Sequence, residues 1–304
     1  MIAVVGSLNM DLVTYTGRMP VTGETIMGKS FRQIPGGKGA NQADAMARLG
    51  ADVKMIGCVG CDDMGNTLLE ALRSDSVDVA WVKRVEGVAT GIASITVDAS
   101  GNNCIIVVPG ANNMLTIENL QASLEAIQQA EVVVAQLEVP IETVRFAIRT
   151  AKELGKLTIL NPAPAVELDA EFLSYVDILV PNDTELELLS GIKISDEADL
   201  ERAAQVLMDK GVRELIVTLG SKGCIHINKS GSKAYPAYKV NAVDTTAAGD
   251  SFIGAVAVAI SEGKAYEEAI CFATAVGALT VTKEGAQSSL PLREEVENFI
   301  TTAR

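Results

Sequence analysis

Histidine, aromatic side chains and positive charge are all scarce in this sequence. The 304 residues include one histidine, His226, and only 4% aromatic residues. A Ser-His-Asp triad, a multi-histidine zinc site or histidine-based acid catalysis would each depend on His226. That residue lies in an alternating, strand-like stretch with no supporting motif nearby, so we expect it to have a structural or surface role.

Negative charge exceeds positive charge. The chain has 25 Lys and Arg residues against 39 Asp and Glu residues, a net charge of −14. This sign opposes binding to phosphate backbones, so we expect neither nucleic acid nor an anionic membrane as a partner. No apolar run approaches the ~18 residues of a membrane span. The N-terminus lacks the basic and long apolar regions of a signal peptide, which predicts a cytoplasmic location.

The five cysteines are odd in number and lie mostly in apolar stretches, a pattern typical of free thiols in a reducing compartment. Cys58 and Cys61 have the spacing of a redox pair or of half a zinc site. No second pair of Cys or His residues completes a metal shell. We therefore expect two packing thiols at the end of a strand.

Apolar strand-like runs alternate with amphipathic helical stretches along the chain. The runs are residues 2–6, 53–58, 132–136, 158–161, 178–180 and 214–219, and the main helical stretches are residues 40–49, 141–154 and 197–210. This pattern predicts a three-layer α/β/α sandwich around a mainly parallel sheet. The length fits one large domain over residues 1–304.

Two segments, residues 10–35 and 88–108, interrupt this alternation. The second contains two strand-like runs joined by a turn at residues 99–102, which predicts a β-hairpin. A small sheet built from both segments would form a lid over the carboxyl end of the main sheet, where ligands of such folds bind. A surface elaboration without a gating role explains the same pattern. The apolar strands also suggest a face covered by a second subunit.

Residues 253–260 are small and apolar, which predicts a helix buried on all sides. Ala247, Ala248 and Gly249 would leave the first amide N–H groups of this helix uncovered, so a phosphate could approach them closely. Asp250 beside such an anion site is suited to accept a proton from a hydroxyl that attacks a phosphoryl group. The alternative is a first-turn acid that only complements the helix dipole.

Gly36 and Gly37 precede another predicted helix and permit a ligand to approach the backbone. Lys38 and Asn41 are three residues apart and share a face of that helix. The spacing differs from a Walker A phosphate loop, and no Ser or Thr follows the lysine. We therefore expect hydroxyl recognition at this segment.

Asn9 and Asp11 would lie on one side of an extended strand, where an amide and a carboxylate together can hold vicinal sugar hydroxyls. The pair by itself is also typical of a turn. The first strand is not followed by the G-x-G-x-x-G pattern of a dinucleotide-binding fold, which argues against an oxidoreductase.

Further polar residues follow predicted strands and would project at the same edge of the sheet. They include Glu138, Asn161 and the pair Asn182 and Glu185. The pair would suit a Mg²⁺ ion carried by a nucleotide. A capped helix with a capping-box glutamate explains the pair without any metal. The glycine turn at residues 218–223 is compatible with a nucleotide lying across it.

Two widely separated signatures, GGKGAN at residues 36–41 and DTTAAGD at residues 244–250, agree in order and spacing with one family. Over essentially its whole length the chain resembles the ribokinase-type carbohydrate kinases. The resemblance implies ATP-dependent phosphorylation of D-ribose at the 5-hydroxyl, giving ribose 5-phosphate and ADP.

The resemblance also implies roles for individual residues. The residues implied to hold the sugar are Asn9, Asp11, Gly37, Lys38, Asn41, Glu138 and Asp250, the last as the base. The anion hole is implied at Ala247, Ala248 and Gly249. The ATP site is implied at Asn182, Glu185, Thr218, Gly220, Gly223, Gly249 and Thr274, with Glu185 acting on Mg²⁺ indirectly. The K⁺ site of the family is implied at Asp244, Thr246, Thr280, Lys283, Gly285 and Ser289.

Three positions depart from the family pattern. Thr274 replaces the more usual Asn or His beside adenine, while Glu284 and Ser288 replace the commoner Lys or Arg and Pro in the cation loop. Members of the family commonly form homodimers by packing their lids together, which agrees with the two β segments described above.

Two other functions remain open at this point. One is a kinase of another small sugar or nucleoside, such as fructose, deoxyribose or adenosine. The other is a sugar- or nucleotide-binding regulator without catalytic activity on the same fold. The presence of Asp250 and of the bare residues before it argues against the regulator, since a regulator has no need of a base.

Overall fold

The computed structural model describes residues 1–302, so the last two residues of the predicted domain lie outside the described residues. In chain order the strands are β1 Ile2–Val5, β2 Asn9–Tyr15, β3 Ser30–Gly36, β4 Val53–Gly60, β5 Val82–Val85, β6 Gly91–Val97, β7 Asn103–Val108, β8 Val132–Gln136, β9 Leu157–Asn161, β10 Ile178–Leu179, β11 Glu214–Thr218, β12 Cys224–Asn228 and β13 Gly231–Tyr235. The α-helices are α1 Lys38–Arg48, α2 Asp63–Ser74, α3 Ile117–Gln121, α4 Leu124–Gln129, α5 Ile141–Glu153, α6 Ala170–Ser174, α7 Asp183–Ser190, α8 Glu197–Asp209, α9 Ala248–Ser261, α10 Tyr266–Thr280 and α11 Arg293–Thr302.

The main sheet has nine strands in the order β13-β12-β11-β10-β9-β8-β1-β4-β5. Neighbouring strands from β11 to β5 pair in parallel, while β12 and β13 add an antiparallel edge. All the parallel strands therefore end at the same edge of the sheet. The predicted α/β sandwich around a mainly parallel sheet is confirmed.

Helices cover both faces of this sheet, and the alternation of side chains in β1 shows how. Ile2 and Val4 face one apolar core, which they share with α1, α9 and α10, whereas Ala3 and Val5 face a second core beneath α5 and α8. Each Å² of apolar surface that is buried stabilises the fold by about 25 cal/mol. Because the central strands bury apolar side chains on both faces, they form a stable base for the site.

A separate four-stranded sheet has the order β3-β2-β6-β7. It combines a strand pair from the first irregular segment with the predicted hairpin of the second, in which β6 and β7 pair antiparallel from Ile92↔Val108 to Val97↔Asn103. The predicted assembly of one small sheet from two distant segments is thus observed. The outer strand β7 is exposed along its length and includes four apolar residues, Ile105, Ile106, Val107 and Val108.

Several smaller predictions can be compared with the structure. His226 Nε2 lies 2.6 Å from Glu214 Oε2 and its ring packs near Tyr266, which agrees with a structural role. Cys58 is buried as expected, but Cys61 is exposed, so packing accounts for only one of the two thiols. Among residues 1–302, no helix is long and apolar enough to cross a membrane.

Candidate active site

A cleft of about 920 Å³ lies between the small sheet and the carboxyl edge of the main sheet. It is lined by residues from β2, β3, the start of α1, the segment before α9 and the loop after α10. The predicted site residues among its lining are Asn9, Asp11, Gly37, Lys38, Asn41, Glu138, Asp244, Thr246, Ala247, Asp250 and Gly285. The fold therefore brings together side chains that are up to about 280 positions apart.

The start of α9 exposes its backbone amides at one end of this cleft. Ala247 adopts a left-handed conformation, with φ 59° and ψ 7°, which is unfavourable for alanine by about 1 kcal/mol. Within residues 1–302, the amide N–H groups of Ala247, Gly249 and Asp250 meet no hydrogen-bond acceptor. A Cβ atom at Gly249 would contact nothing within 4 Å. The helix start therefore presents unpaired donors with open space above them, the arrangement that binds phosphate.

Asp250 lies in the first turn of α9 and is 8% exposed. Its Oδ2 atom accepts a hydrogen bond of 3.0 Å from Asn41 Nδ2, and its Oδ1 atom accepts one of 3.0 Å from Gln42 Nε2. A carboxylate that only complemented the helix dipole would face solvent, so this buried and doubly bonded arrangement favours a base held in a fixed orientation. Asn41 Oδ1 is buried without a partner among the described residues and is an acceptor for a ligand hydroxyl.

Glu138 follows β8 and stabilises the start of α1 by hydrogen bonds. One of its carboxylate oxygens accepts hydrogen bonds from the Ser7 hydroxyl, at 2.5 Å, and from the Lys38 amide, at 3.1 Å. Gly37 has φ 92°, and a Cβ atom there would lie 2.6 Å from the Asn9 nitrogen. The glycine is therefore required for α1 to start directly beside β2, which explains why the helix begins two residues earlier than predicted.

Asn9 and Asp11 lie on one side of β2, as the strand interpretation predicted. Burial, together with the nearby carboxylates of Glu138 and Asp250, raises the pKa of Asp11 to about 7. Gly36 packs against this side chain, since a Cβ atom there would lie 2.6 Å from Asp11 Oδ2. The Asp11 carboxyl therefore titrates near neutral pH.

Lys38 is the positive group at the centre of these acids. Burial by itself would lower the pKa of its ammonium group, but the charges of Asp250, Glu138 and Glu185 together raise that pKa above its usual value. The lysine therefore stays charged. It interacts with Glu138 and Asp250, which are predicted to hold the sugar, and with Glu185, which is predicted to lie in the ATP site. The two predicted sites therefore share one electrostatic environment.

Asn182 and Glu185 form a capping box at the start of α7. Asn182 Oδ1 accepts from the Glu185 amide at 2.7 Å, and Glu185 Oε2 accepts from the Asn182 amide at 2.9 Å. The structural interpretation of this pair is thus confirmed. Burial raises the pKa of Glu185, since its carboxyl group is withdrawn from solvent. One lone pair remains on each carboxylate oxygen, so the capping role leaves the Mg²⁺ interpretation open.

The other predicted nucleotide residues lie along the same edge but not in the cleft lining. Thr218 ends β11 beside Asn182, and its amide donates to the Pro181 carbonyl at 2.9 Å. Gly220 has open space around its Cα atom, whereas Gly223 has φ 99° and packs against the Tyr235 carbonyl. The hairpin geometry therefore accounts for the glycine at position 223. Thr274 is buried in α10, and its hydroxyl donates to the Ile270 carbonyl at 2.8 Å.

Three of the six predicted cation residues, Asp244, Thr246 and Gly285, meet where two loops join. Asp244 Oδ1 accepts from the Thr246 amide and hydroxyl, at 2.9 and 2.6 Å, and Asp244 Oδ2 accepts from the Gly285 amide at 2.9 Å. Burial would raise the pKa of Asp244, but these bonds lower it below its usual value, so the carboxylate stays charged. The side chains of Thr280 and Ser289 are fully buried and bonded within the protein, whereas Lys283 pairs with Glu295.

The sequence interpretation missed four buried polar residues that support this site. Ser7 contacts Glu138, Asn112 Nδ2 donates to Asn9 Oδ1 at 2.8 Å, and Gln42 joins Gln136 to Asp250. Asn112 also bonds both backbone groups of Leu8, so it holds the turn between β1 and β2. Each contact joins residues that are far apart in the sequence, and only the position of Gln42 directly after Asn41 could have drawn attention to it.

Comparisons with known proteins agree with this fold and site. The model of the "pfkB family carbohydrate kinase" matches residues 1–293. A ribokinase of Haemophilus influenzae is 41% identical over 302 residues, with 99% of each chain covered. A deoxyribokinase of Salmonella typhi is 40% identical over 301 residues, with 99% of this chain and 98% of the relative covered.

A solved structure is similar as well. The ribokinase of Arabidopsis thaliana, complexed with ribose and ATP, superimposes with a TM-score of 0.94 at 34% identity, over 98% of each chain. A small sheet that faces the carboxyl edge of a parallel sheet across a cleft is the arrangement of one class of phosphotransferases, and this chain has it. The chain belongs to the pfkB family of carbohydrate kinases.

Proposed function

We propose that this protein transfers the γ-phosphoryl group of ATP to the 5-hydroxyl of D-ribose. One observation carries the proposal: Asp250 and Ala247, whose amide is unpaired, line the same cleft, and the unpaired amide of Gly249 lies between them in the chain. A base beside an anion site suits a hydroxyl that attacks a phosphoryl group. The ribokinases among its relatives favour ribose as the acceptor.

The residues divide between the two substrates. Asp250 accepts the proton of the attacking hydroxyl, while the amides at the start of α9 stabilise the charge of the phosphoryl group. The residues that hold the sugar are Asn9, Asp11, Gly37, Lys38, Asn41 and Glu138. Because phosphoryl-transfer transition states are loose, this positioning contributes more than the strength of the base.

A second acceptor, 2-deoxyribose, is favoured by the deoxyribokinase relative. An assay of ADP formation with ribose, 2-deoxyribose, fructose and adenosine distinguishes these substrates. We expect the highest kcat/KM with ribose, and mass spectrometry should locate the phosphate on the 5-oxygen. A higher kcat/KM with 2-deoxyribose would make 2-deoxyribose the acceptor in place of ribose. If none of these four acceptors supports ADP formation, the proposal is contradicted.

ATP would reach the edge formed by Asn182, Thr218, Gly220, Gly223, Gly249 and Thr274. The cleft and its surroundings are rich in carboxylates, because Asp11, Glu138, Asp244 and Asp250 line the cleft and Glu185 interacts with Lys38 and Asp250. A polyphosphate entering such a region requires a divalent cation, and Mg²⁺ bound to the nucleotide supplies that charge. Glu185 has free lone pairs suited to ordering the water shell of this ion rather than to direct coordination.

We propose a K⁺ site at the junction of the loops that contain Asp244 and Gly285. The candidate ligands are the oxygens of Asp244, Thr246, Thr280, Lys283, Gly285 and Ser289. The charged Asp244 carboxylate and the neighbouring carbonyl groups are hard oxygen donors, which suit a weakly held alkali cation. A cation there would lie close in the chain to the start of α9 and would add to the positive potential that its amides present to a phosphoryl group.

Replacing K⁺ by Na⁺ is expected to lower kcat/KM by about tenfold, or about 1.4 kcal/mol of transition-state stabilisation. Steady-state assays with either chloride salt measure this effect. In Asp244→Asn, kcat/KM should differ little between K⁺ and Na⁺. In Asp63→Asn, whose substitution lies in the exposed first turn of α2, the wild-type difference in kcat/KM should remain. Equal activity in both salts would refute the assigned loop.

Ribose affinity is expected to weaken as the pH falls from about 8 to about 6. An ionised Asp11 accepts hydrogen bonds from sugar hydroxyls, and its pKa of about 7 means that it becomes protonated over this interval. The dissociation constant for ribose, measured by calorimetry without nucleotide, should rise about tenfold. In Asp11→Asn the dissociation constant for ribose should be higher and independent of pH. A dissociation constant that still depends on pH in this variant would assign the effect to another group.

We also propose that the chain forms one α/β domain in which the small sheet acts as a lid. Two such lids would pack together in a homodimer. The exposed apolar strand β7 supports this, because an unpaired apolar edge is normally covered. Ile106 is 62% exposed, and we expect Ile106→Asp to shift the dimer to monomer in sedimentation experiments. Leu188→Asp, on the exposed face of α7, is the control. A monomeric wild-type protein at micromolar concentration would contradict this proposal.

A further inference from the structure

Three side-chain amides lie behind Asp250, in the interior of the molecule. Gln42 of α1 and Gln136 of β8 are 0% exposed, and Asn161 at the end of β9 is 6% exposed. Burying an amide costs about 1–3 kcal/mol unless its groups are hydrogen-bonded. Three adjacent amides, each from a different element, therefore require a reason beyond packing.

The hydrogen bonds among these amides run in one direction. Gln136 Nε2 donates to Gln42 Oε1 at 2.6 Å, which occupies the carbonyl group of Gln42. Gln42 Nε2 consequently faces Asp250 Oδ1, at 3.0 Å, and Asn161 Oδ1, at 3.3 Å. Asn161 Nδ2 donates to the Val180 carbonyl at 3.2 Å, which turns the Asn161 oxygen towards Gln42. A reversed Gln42 amide would place its oxygen against two other oxygens.

The result is a carboxylate held on both oxygens. Gln42 bonds Oδ1 of Asp250 and Asn41 bonds Oδ2, so the plane of the carboxylate is set by two neutral donors from consecutive residues of α1. Donors of this kind restrict side-chain rotation, which a base needs in order to meet one particular proton. Asn41 lines the cleft and is free to contact a ligand, whereas Gln42 is not among the cleft-lining residues.

We propose that Gln42 is a positioning residue for Asp250, with its amide orientation set by Gln136. The inference rests on the proposed kinase reaction, in which Asp250 takes the proton of the acceptor hydroxyl. Gln42 touches neither substrate and acts only through the carboxylate. Its contribution should therefore be visible in kcat more than in sugar binding.

The test compares Gln42→Glu, Gln42→Met and Gln136→Met with wild type in steady-state assays that give kcat and the ribose KM separately. In Gln42→Glu a carboxylate replaces the donor to Asp250 Oδ1 and repels it, so we expect kcat to fall about tenfold or more. Gln42→Met, which removes the donor without adding charge, should lower kcat by a similar factor. The ribose KM should change by less than about threefold.

Thr143→Val is the matched control. The Thr143 hydroxyl is buried and donates to the Leu115 carbonyl at 2.6 Å, so the variant loses one buried hydrogen bond outside the cleft lining. We expect it to lower the melting temperature with an unchanged kcat. Gln136→Met removes the hydrogen bond that holds the Gln42 carbonyl group, and it should lower kcat about fivefold.

The inference is overturned if folded Gln42→Glu or Gln42→Met keeps the wild-type kcat, or if the Gln42 variants lose activity only in proportion to the loss in melting temperature. Should neither Gln42 variant fold, wild-type kcat in Gln136→Met would overturn it and a reduced kcat with unchanged ribose KM would support it. Failure of the kinase proposal itself would show differently, as wild-type protein that phosphorylates no sugar.

Discussion

Replacing Asp250 by alanine is expected to lower kcat by at least about 10²-fold, while calorimetry still detects ribose binding. The variant removes the carboxylate that is bonded by both Asn41 and Gln42, and with it the acceptor for the hydroxyl proton. Sugar binding should survive, because the other contacts of the cleft remain. Asp250→Asn should behave in the same way, since it keeps the size of the side chain and removes the base.

The control for this experiment is Asp63→Ala. Asp63 also lies in the first turn of a helix, α2, but it is exposed and lies outside the cleft lining. If Asp250 served only the helix dipole, the two alanine variants would lose similar, small amounts of stability and neither would lose turnover. Retained turnover in Asp250→Ala would remove this residue from the mechanism.

Replacing Gly249 by aspartate is expected to lower kcat/KM for ATP by about 10²-fold or more, without unfolding the protein. The new carboxylate would project from the helix start where the amides of Ala247 and Gly249 are unpaired, and would repel a phosphoryl group. The backbone accepts the change, because Gly249 has no positive φ and a Cβ atom there contacts nothing within 4 Å. Compared with glycine, a helical residue with a side chain gains up to about 1 kcal/mol of stability.

Gly249→Asn separates charge from bulk, since it has nearly the same shape as aspartate. We expect its loss of kcat/KM to be several-fold smaller, with a similar melting temperature for both variants. If the two variants turn over ATP equally well, phosphate does not approach this helix start. Ribose binding, measured without nucleotide, should be unchanged in both and serves as the check that the cleft is intact.

Local patterns in the sequence predicted most of the architecture. The parallel strands follow from apolar runs, and the hairpin at residues 91–108 follows from alternation around a glycine turn. The start of α9 was predictable because Ala247, Ala248 and Gly249 are bare in any context. The left-handed conformation of Ala247 was not, since alanine has no intrinsic preference for it and only the surrounding packing imposes it.

The supporting residues of the site were beyond sequence reasoning for a physical reason. Gln42 and Gln136 are polar, and polar residues in isolation indicate solvent exposure, yet both are buried, with Gln136 donating to Gln42 and Gln42 donating to Asp250. The pair Asn182 and Glu185 shows the opposite case, in which spacing alone predicted the capping box correctly but left its relation to Mg²⁺ undecided. Contacts between distant segments, such as Ser7 with Glu138, arise only when the sheet is assembled.

The acidity of the molecule affects how fast a nucleotide arrives. With a net charge of −14 and carboxylates around the cleft, the protein repels free polyphosphate at long range, and dissolved ions largely screen that repulsion beyond about 10 Å at 0.1 M ionic strength. Any added salt, including one with an inert cation, should therefore speed nucleotide capture. A specific alkali-ion effect is distinguishable from this screening only in titrations at constant ionic strength.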